Sequence, residues 1–178
     1  MTTCPTLETK RLILRPFNDD DVDRYFAIHD NPEVRAALHI APEFDRDMAW
    51  GALARWLGQW ALRNSGNWAL ELKSTGELIG RAGTHRPELV DWPGLEIGWT
   101  VDPSHWGRGY ATEAGRKAIE WAFANHDDNE LFSCILPTNS ASQAVARRLG
   151  YTLREEKVLS FFPAHPLGIW VLPRTPSA

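Results

Sequence analysis

The sequence predicts a mixed α/β domain, and three observations lead there. Apolar residues recur at helical spacing before Asn67, the period switches to two from Asn67, and strand and helix patterns alternate after Val101. A chain of 178 residues fits one domain spanning residues 1–178 and is long enough to bury a substantial core.

Lys10 to Pro16 reads as a first strand that stops at its proline. Asn18 then supplies a cap, and Asp19, Asp20 and Asp21 place negative charge at the positive end of a helix running to about His29. Pro32 opens a short second helix. Asp45 begins a longer one, in which Trp50, Leu53, Ala54, Leu57, Trp60 and Ala61 form a stripe expected to face the core, with one end free to line a pocket. Trp68–Leu72 and Leu78–His85 flank the turn Lys73-Ser74-Thr75-Gly76 as a hairpin. Pro87–Gly94 is loop, Leu95–Val101 strand, Ala111–Phe123 helix, Leu131–Leu136 strand and Ser140–Leu149 helix, stopped by Gly150. Two strands, Thr152–Leu159 and His165–Leu172, follow.

Composition removes several function classes. The net charge of −4 argues against a general nucleic-acid binder, which carries a basic excess. No apolar run approaches the roughly 20 residues of a bilayer span, and the first residues lack the apolar stretch of a secretory signal. Cys4 and Cys134 are too few and too far apart for a disulfide framework or zinc site, so a reducing cytoplasm is the expected setting. The six histidines form no i,i+4 pair, and no metal is expected.

The most informative stretch runs from Leu95 to Ala114. A strand ends at Val101, a loop carries Gly107 and Gly109, and a helix starts near Ala111. Glycines let the backbone approach a ligand closely, and the first-turn amides of the helix, aided by its dipole, favour an anion such as a pyrophosphate. Arg108 adds a cation nearby. Thr112 stands where a dinucleotide fingerprint needs its third glycine, and the Gly-Lys-Ser/Thr of a Walker loop is absent.

Trp106-Gly107-Arg108-Gly109-Tyr110-Ala111 resembles motif A of the GNAT acetyltransferases, with Trp106 in place of the usual Arg or Gln. Pro137-Thr138-Asn139-Ser140-Ala141-Ser142, followed by Leu149-Gly150-Tyr151, resembles the second motif of that family. Thr9 to Pro16 is similar to the first strand of the branch containing ribosomal-protein-alanine/serine N-acetyltransferases. The resemblance implies a mixed, mostly antiparallel central sheet with a splayed strand pair and flanking helices. It also implies acetyl-CoA as acetyl donor and an amine-bearing acceptor.

By that resemblance the backbone of Trp99, Thr100 and Val101 pairs with the pantetheine arm, and the amides of Gly107 through Thr112 hold the pyrophosphate. Acetyl transfer needs a neutral amine, a stabilised oxyanion and a proton for the leaving thiolate. Glu96 matches the acidic residue implicated in this branch and is the candidate base, with a structurally paired glutamate as the alternative and His85 as a secondary base. The oxyanion is expected to meet a backbone N–H near Val101. Ala146 occupies the place of the tyrosine that many GNAT enzymes use as acid. In the branch this chain resembles, the serine three positions after the motif asparagine takes that role, here Ser142, with a purely structural role as the alternative. Ser140, with Gln143 three residues on, fits a capping box. Asn139 is expected to bond the pantetheine or order the helix entry, Arg147 or Arg148 to meet the 3′-phosphate, and Tyr110 to stack on the cofactor or simply pack. The acceptor could be a protein N-terminus, a polyamine-like metabolite or an aminoglycoside-type compound. Glu43, Asp45, Glu88 and Asp91 would favour a cationic one, and a solvated surface explains them equally well. The family analogy also allows a homodimer along C-terminal edge strands. A non-catalytic acyl-CoA-binding or regulatory module is the alternative function.

Overall fold

The computed structural model describes residues 3–175. Its strands are β1 (Leu7–Glu8), β2 (Leu12–Arg15), β3 (Asn67–Leu72), β4 (Leu78–His85), β5 (Glu96–Val101), β6 (Glu130–Ile135), β7 (Thr152–Leu159) and β8 (Phe162–Pro173). Its helices are α1 (Val22–Asp30), α2 (Pro32–Leu38), α3 (Arg46–Arg63), α4 (Tyr110–Asn125) and α5 (Ser140–Leu149). The strands form one sheet in the order β1-β2-β3-β4-β5-β6-β8-β7. All neighbours are antiparallel except β5 and β6. This is the GNAT-type α/β architecture.

Period-two alternation divides the sheet into two faces. One face presents Leu12, Leu14, Leu70, Ile79, Ile97, Val101 and Leu131, which pack with Ala114, Ala118 and Ala122 of α4 and Ala146 and Leu149 of α5. Small residues on α4 let its backbone approach the sheet closely. A Cβ on Gly115 would lie 2.8 Å from a Leu149 methyl. On the other face, Tyr25, Ala49, Leu53 and Trp56 of α1 and α3 cover Ala69. Functional groups sit on this second face, where β4 and β5 carry Arg81, His85 and Glu96 in phase.

Several boundaries differ from the sequence reading. The two-residue β1 is too short to leave a periodic signal. The Asp19–Asp21 run forms a 3-10 turn before α1, and its last member is buried by a bidentate pair with Arg15 at 2.7 and 2.8 Å. The expected stripe on α3 is rotated, because the buried set is Ala49, Leu53, Trp56 and Trp60, while Trp50 and Leu57 are exposed. Both stripes have helical spacing and share Leu53 and Trp60. Tertiary packing chose between them, and it turned Trp56 inward. Trp60, Trp68 and Trp121 form a mutual cluster with ring centroids 4.6–5.3 Å apart, in which Trp60 and Trp68 are core and the half-buried Trp121 packs against them.

Candidate active site

The site begins where the sheet opens. β5 pairs with β4 along its whole length, from His85↔Glu96 to Gly80↔Val101. Towards β6 it pairs only at Glu96↔Phe132, through Phe132 N–H donating to the Leu95 carbonyl at 2.9 Å. The Ser133 hydroxyl donates to the Ile97 carbonyl at 2.7 Å and closes the vertex of the splay. Beyond it the backbone of Trp99 and the N–H of Val101 point into the gap with no strand partner among the described residues. The Val101 carbonyl accepts the Trp106 indole N–H at 2.6 Å. Thr100 corrects one expectation. Alternation turns its backbone towards β4, where its carbonyl oxygen lies 2.1 Å from the position a Cβ on Gly80 would take. Among the described residues of β5, the backbone of Trp99 and the N–H of Val101 are left free towards the gap.

The glycine turn follows. Gly107 and Gly109 adopt φ of +73° and +80°, a region costly for residues with a Cβ, and Gly109 is the N-cap of α4. The first intrahelical bond runs from Glu113 N–H to the Gly109 carbonyl. Among the described residues no protein acceptor takes the N–H groups of Gly107, Arg108, Gly109, Tyr110, Ala111 or Thr112. Six donors therefore converge at the positive end of a 16-residue helix, an arrangement suited to a diphosphate.

The turn is braced from behind by residues that sequence reading missed. Glu113 accepts from the Thr9 hydroxyl (2.6 Å), the Arg11 N–H (2.8 Å) and the Arg11 Nε (2.7 Å). Arg11 also donates to the Arg108 carbonyl at 2.8 Å and covers the Tyr110 ring at 4.3 Å. Desolvation opposes ionisation of Glu113, yet the Thr9 and Arg11 donors outweigh it and hold its carboxyl below the usual range. Tyr110 thus packs under Arg11 while remaining on the cleft wall. Glu113→Ala should orphan these donors and loosen the turn, weakening coenzyme A binding about 10-fold while kcat stays within about 3-fold. Equilibrium dialysis alongside steady-state kinetics checks the split.

Two cavities meet at the splay. The larger, about 690 Å³, extends along Val101, Trp106–Thr112, Ala144 and Val145. The smaller, about 240 Å³, lies on the α1–α3 face and includes Glu96, His85, Arg81 and Trp56. Ala37, Leu38, Trp99, Asn139 and Ser142 line both. Glu96 is held in place, with Oε1 accepting the Cys134 N–H at 3.1 Å and Oε2 lying 3.3 Å from His85 Nδ1. The Glu96 and His85 side chains are only 12% and 21% exposed, so the pair faces the cavity rather than bulk water. Burial, with the Glu96 charge beside it, pushes the Cys134 thiol up and keeps it protonated.

At the junction, Asn139 rather than Ser140 caps α5. Its Oδ1 accepts the Ser142 N–H at 3.0 Å, and its Nδ2 donates to the Ala37 carbonyl at 3.0 Å. Ser140 is instead the first helical residue, and the Gln143 amide bonds the Leu136 and Pro137 carbonyls. Asn139 therefore orders the helix entry and ties α2 to it. The Ser142 hydroxyl has no protein partner among the described residues and borders both cavities. Arg147 turns away from the cleft, with its guanidinium 5.0 Å from the Trp170 ring and bonded to Gln143. Helical geometry points its neighbour Arg148 the other way, into the cleft wall and an adjoining groove with Arg116 and Lys117.

None of the four acids suggested for a cationic acceptor lines the smaller cavity. Asp45 caps α3, Glu88 pairs with Arg63, Asp91 accepts from Ser160, and Glu43 is exposed. A separate trio, Glu77, Asp102 and His105, brings metal-type ligand atoms within 4.8 Å of one another. Arg24 Nη2 lies 2.7 Å from Glu77 and 2.5 Å from Asp102, so a guanidinium already neutralises that group.

A splayed parallel pair ending in a glycine turn defines the class of an acyltransferase built on the GNAT fold, and the comparisons agree. The family model described as "Acetyltransferase (GNAT) domain" matches residues 11–152. The chain belongs to the GNAT acetyltransferase family and is an N-acetyltransferase. It is 28% identical over 147 residues to the Bacillus subtilis N-acetyltransferase YoaA, covering 83% of this chain and 82% of that one. An acetyltransferase from Agrobacterium tumefaciens superposes with a TM-score of 0.83 at 33% identity, covering 98% and 97% of the two chains. The ribosomal-protein-S5-alanine acetyltransferase of Vibrio fischeri shares the fold, with a TM-score of 0.75 at 15% identity over 96% and 97%. Among the described residues, no helix is long and apolar enough to cross a membrane.

Proposed function

We propose that this protein transfers an acetyl group from acetyl-CoA to a primary amine by direct attack in a ternary complex. The observation that carries the reading is the meeting of two cavities at Trp99 and Ser142. One is lined by unpartnered backbone donors, and the other holds Glu96. The residues present fit the cofactor. The free N–H groups of Gly107 to Thr112 would receive its pyrophosphate, the Trp99 carbonyl and the Val101 N–H its pantetheine amides, and Arg148 with Arg116 its 3′-phosphate. Bound there, acetyl-CoA supplies the acyl group as a reactive thioester.

The chain's own groups do the rest. Glu96 removes a proton from the amine, directly or through water, and His85 orients the carboxylate. The Trp99 N–H, rigid because β5 is fully paired to β4, donates to the acetyl oxygen as charge builds there. The Ser142 hydroxyl delivers a proton to the sulfur. Its unpartnered hydroxyl, on the first turn of α5, supports this role. The exposed edge strand β7 is the natural seam for a homodimer. The test is thiol release from acetyl-CoA against an amine panel. Turnover with at least one primary amine supports the reading. Tight cofactor binding with no turnover on any amine favours a binding module.

A further inference from the structure

The smaller cavity carries a feature that amine acetylation alone does not explain. Arg81 projects from β4 on the same face as His85, and its charge has no carboxylate partner within 4.0 Å among the described residues. Its Nη1 donates to Asn67 Oδ1 at 2.9 Å, its guanidinium lies 5.4 Å from the Trp56 ring, and its buried Nε has no acceptor among the described residues. Asn67 is itself fully buried. The field of Arg81 reaches the protein around it, since after burial it is the next cause of the depressed His29 basicity. Recessed cations are usually compensated, because desolvation without a counter-charge is costly. Arg15, Arg24, Arg35 and Arg86 all have carboxylate partners in this molecule.

Building on the acetyl-transfer reading, we propose that the acceptor is a small amino acid: a primary amine carrying a free carboxylate a few bonds away, bound by Arg81. The sheet supplies the spacing. A Cβ built on Gly98 would lie 3.7 Å from Arg81 Nη1, with no other non-neighbouring atom within 4 Å. The guanidinium therefore reaches over Gly98, and the space above that glycine is open. Glu96 is two residues away on the same strand face, about 7 Å along the strand. A carboxylate on Arg81 and an amine at Glu96 fit that interval. The cavity of about 240 Å³ suits a ligand of amino-acid size, and Trp56, Trp92, Phe161 and Phe162 offer an apolar wall for its side chain. The indole N–H groups of Trp56 and Trp92 are buried without partners among the described residues and are further donors for a carboxylate oxygen. The reaction balances without any additional reagent. The nitrogen bonds to the acetyl carbon as the carbon–sulfur bond breaks, and the proton lost from nitrogen is matched by the one gained by sulfur.

The experiment compares L-phenylalanine with L-phenylalaninamide, phenethylamine and a short peptide, using thiol release and calorimetric titration into the coenzyme A-bound protein. The free acid is expected to exceed the amide by about 50-fold in kcat/KM, the scale of one charge-assisted contact. In Arg81→Met that preference should fall below about 3-fold, chiefly through KM, and in Arg81→Lys it should persist in reduced form because the charge remains while the bidentate fork is lost. Use of the amide, the amine or the peptide as well as the acid overturns the proposal, the peptide result pointing to a protein N-terminus instead. Calorimetric preference for the acid without turnover on any amine upholds the Arg81 site and sinks the acetyl-transfer reading. Equal binding of acid and amide sinks the Arg81 site whatever the turnover.

Discussion

Glu96→Gln should lower kcat/KM by about 100- to 1,000-fold, the range expected for loss of a positioned general base. The substitution keeps the shape of the side chain and an oxygen to accept the Cys134 N–H, so the local backbone has no reason to move. Coenzyme A affinity should stay within about 3-fold, because the glycine turn and the free backbone of Trp99 and Val101 lie outside the reach of this side chain. Turnover within 3-fold of the wild type would remove Glu96 from the mechanism. His85→Gln refines the test. If His85 acts only by orienting Glu96, the double variant should be no slower than Glu96→Gln, since the two residues then work as a unit. Additive losses would give His85 an independent role in proton removal.

The cofactor half of the site was legible because its chemistry is backbone chemistry. Gly107 and Gly109 stand where left-handed backbone is required, and the strand before and helix after them fix the direction of the donors. Thr100 was misassigned because a run of residues names a strand but not which of its amides face the partner that has departed. That became visible only when Phe132 and Ser133 bonded the Leu95 and Ile97 carbonyls. Arg147 and Arg148 are adjacent on α5, and a sequence alone leaves both facing the cofactor. Trp170 on β8, brought near only by the fold, captures the first of them.

The acceptor half was mostly hidden. Trp56 lay between two equally periodic stripes of α3, and the choice depended on which one met β4. Arg11 and Glu113 are about one hundred residues apart, so nothing local announced their contact. Arg81 did leave a trace: a cation inside an otherwise buried hairpin strand, in phase with His85, is a departure from the apolar pattern that function or a buried partner must explain. The structure provides Asn67, and no carboxylate among the described residues.

Stability should fall steeply in mild acid because of His29. The ring is buried on the inward side of α1, stacks on Tyr25 at 3.9 Å and donates from Nδ1 to the Tyr25 carbonyl, while Nε2 has no partner among the described residues. Burial first, and the positive charge of Arg81 second, depress its pKa to about 3. The unfolded chain protonates the same ring near its ordinary value of about 6.5. Above that pH both states are neutral and His29 has no effect. Below it the unfolded state binds a proton that the folded state refuses, so stability falls by about 1.4 kcal/mol per pH unit until the folded ring also titrates. Against a total of about 5–15 kcal/mol this is a large loss. His29→Phe retains an aromatic ring against Tyr25 and removes the titration. Urea unfolding at pH 7, 6, 5 and 4 should show a shallower decline in the variant, by about 1.4 kcal/mol per unit between pH 6 and 4. Carboxylates such as Glu113 and Asp102, which their partners hold below the usual range, add their own losses at lower pH in both proteins and do not obscure the difference. Equal slopes in the two proteins would mean that the native structure admits a proton at His29, and the cost of its burial beside Arg81 would then be relieved by some rearrangement of α1.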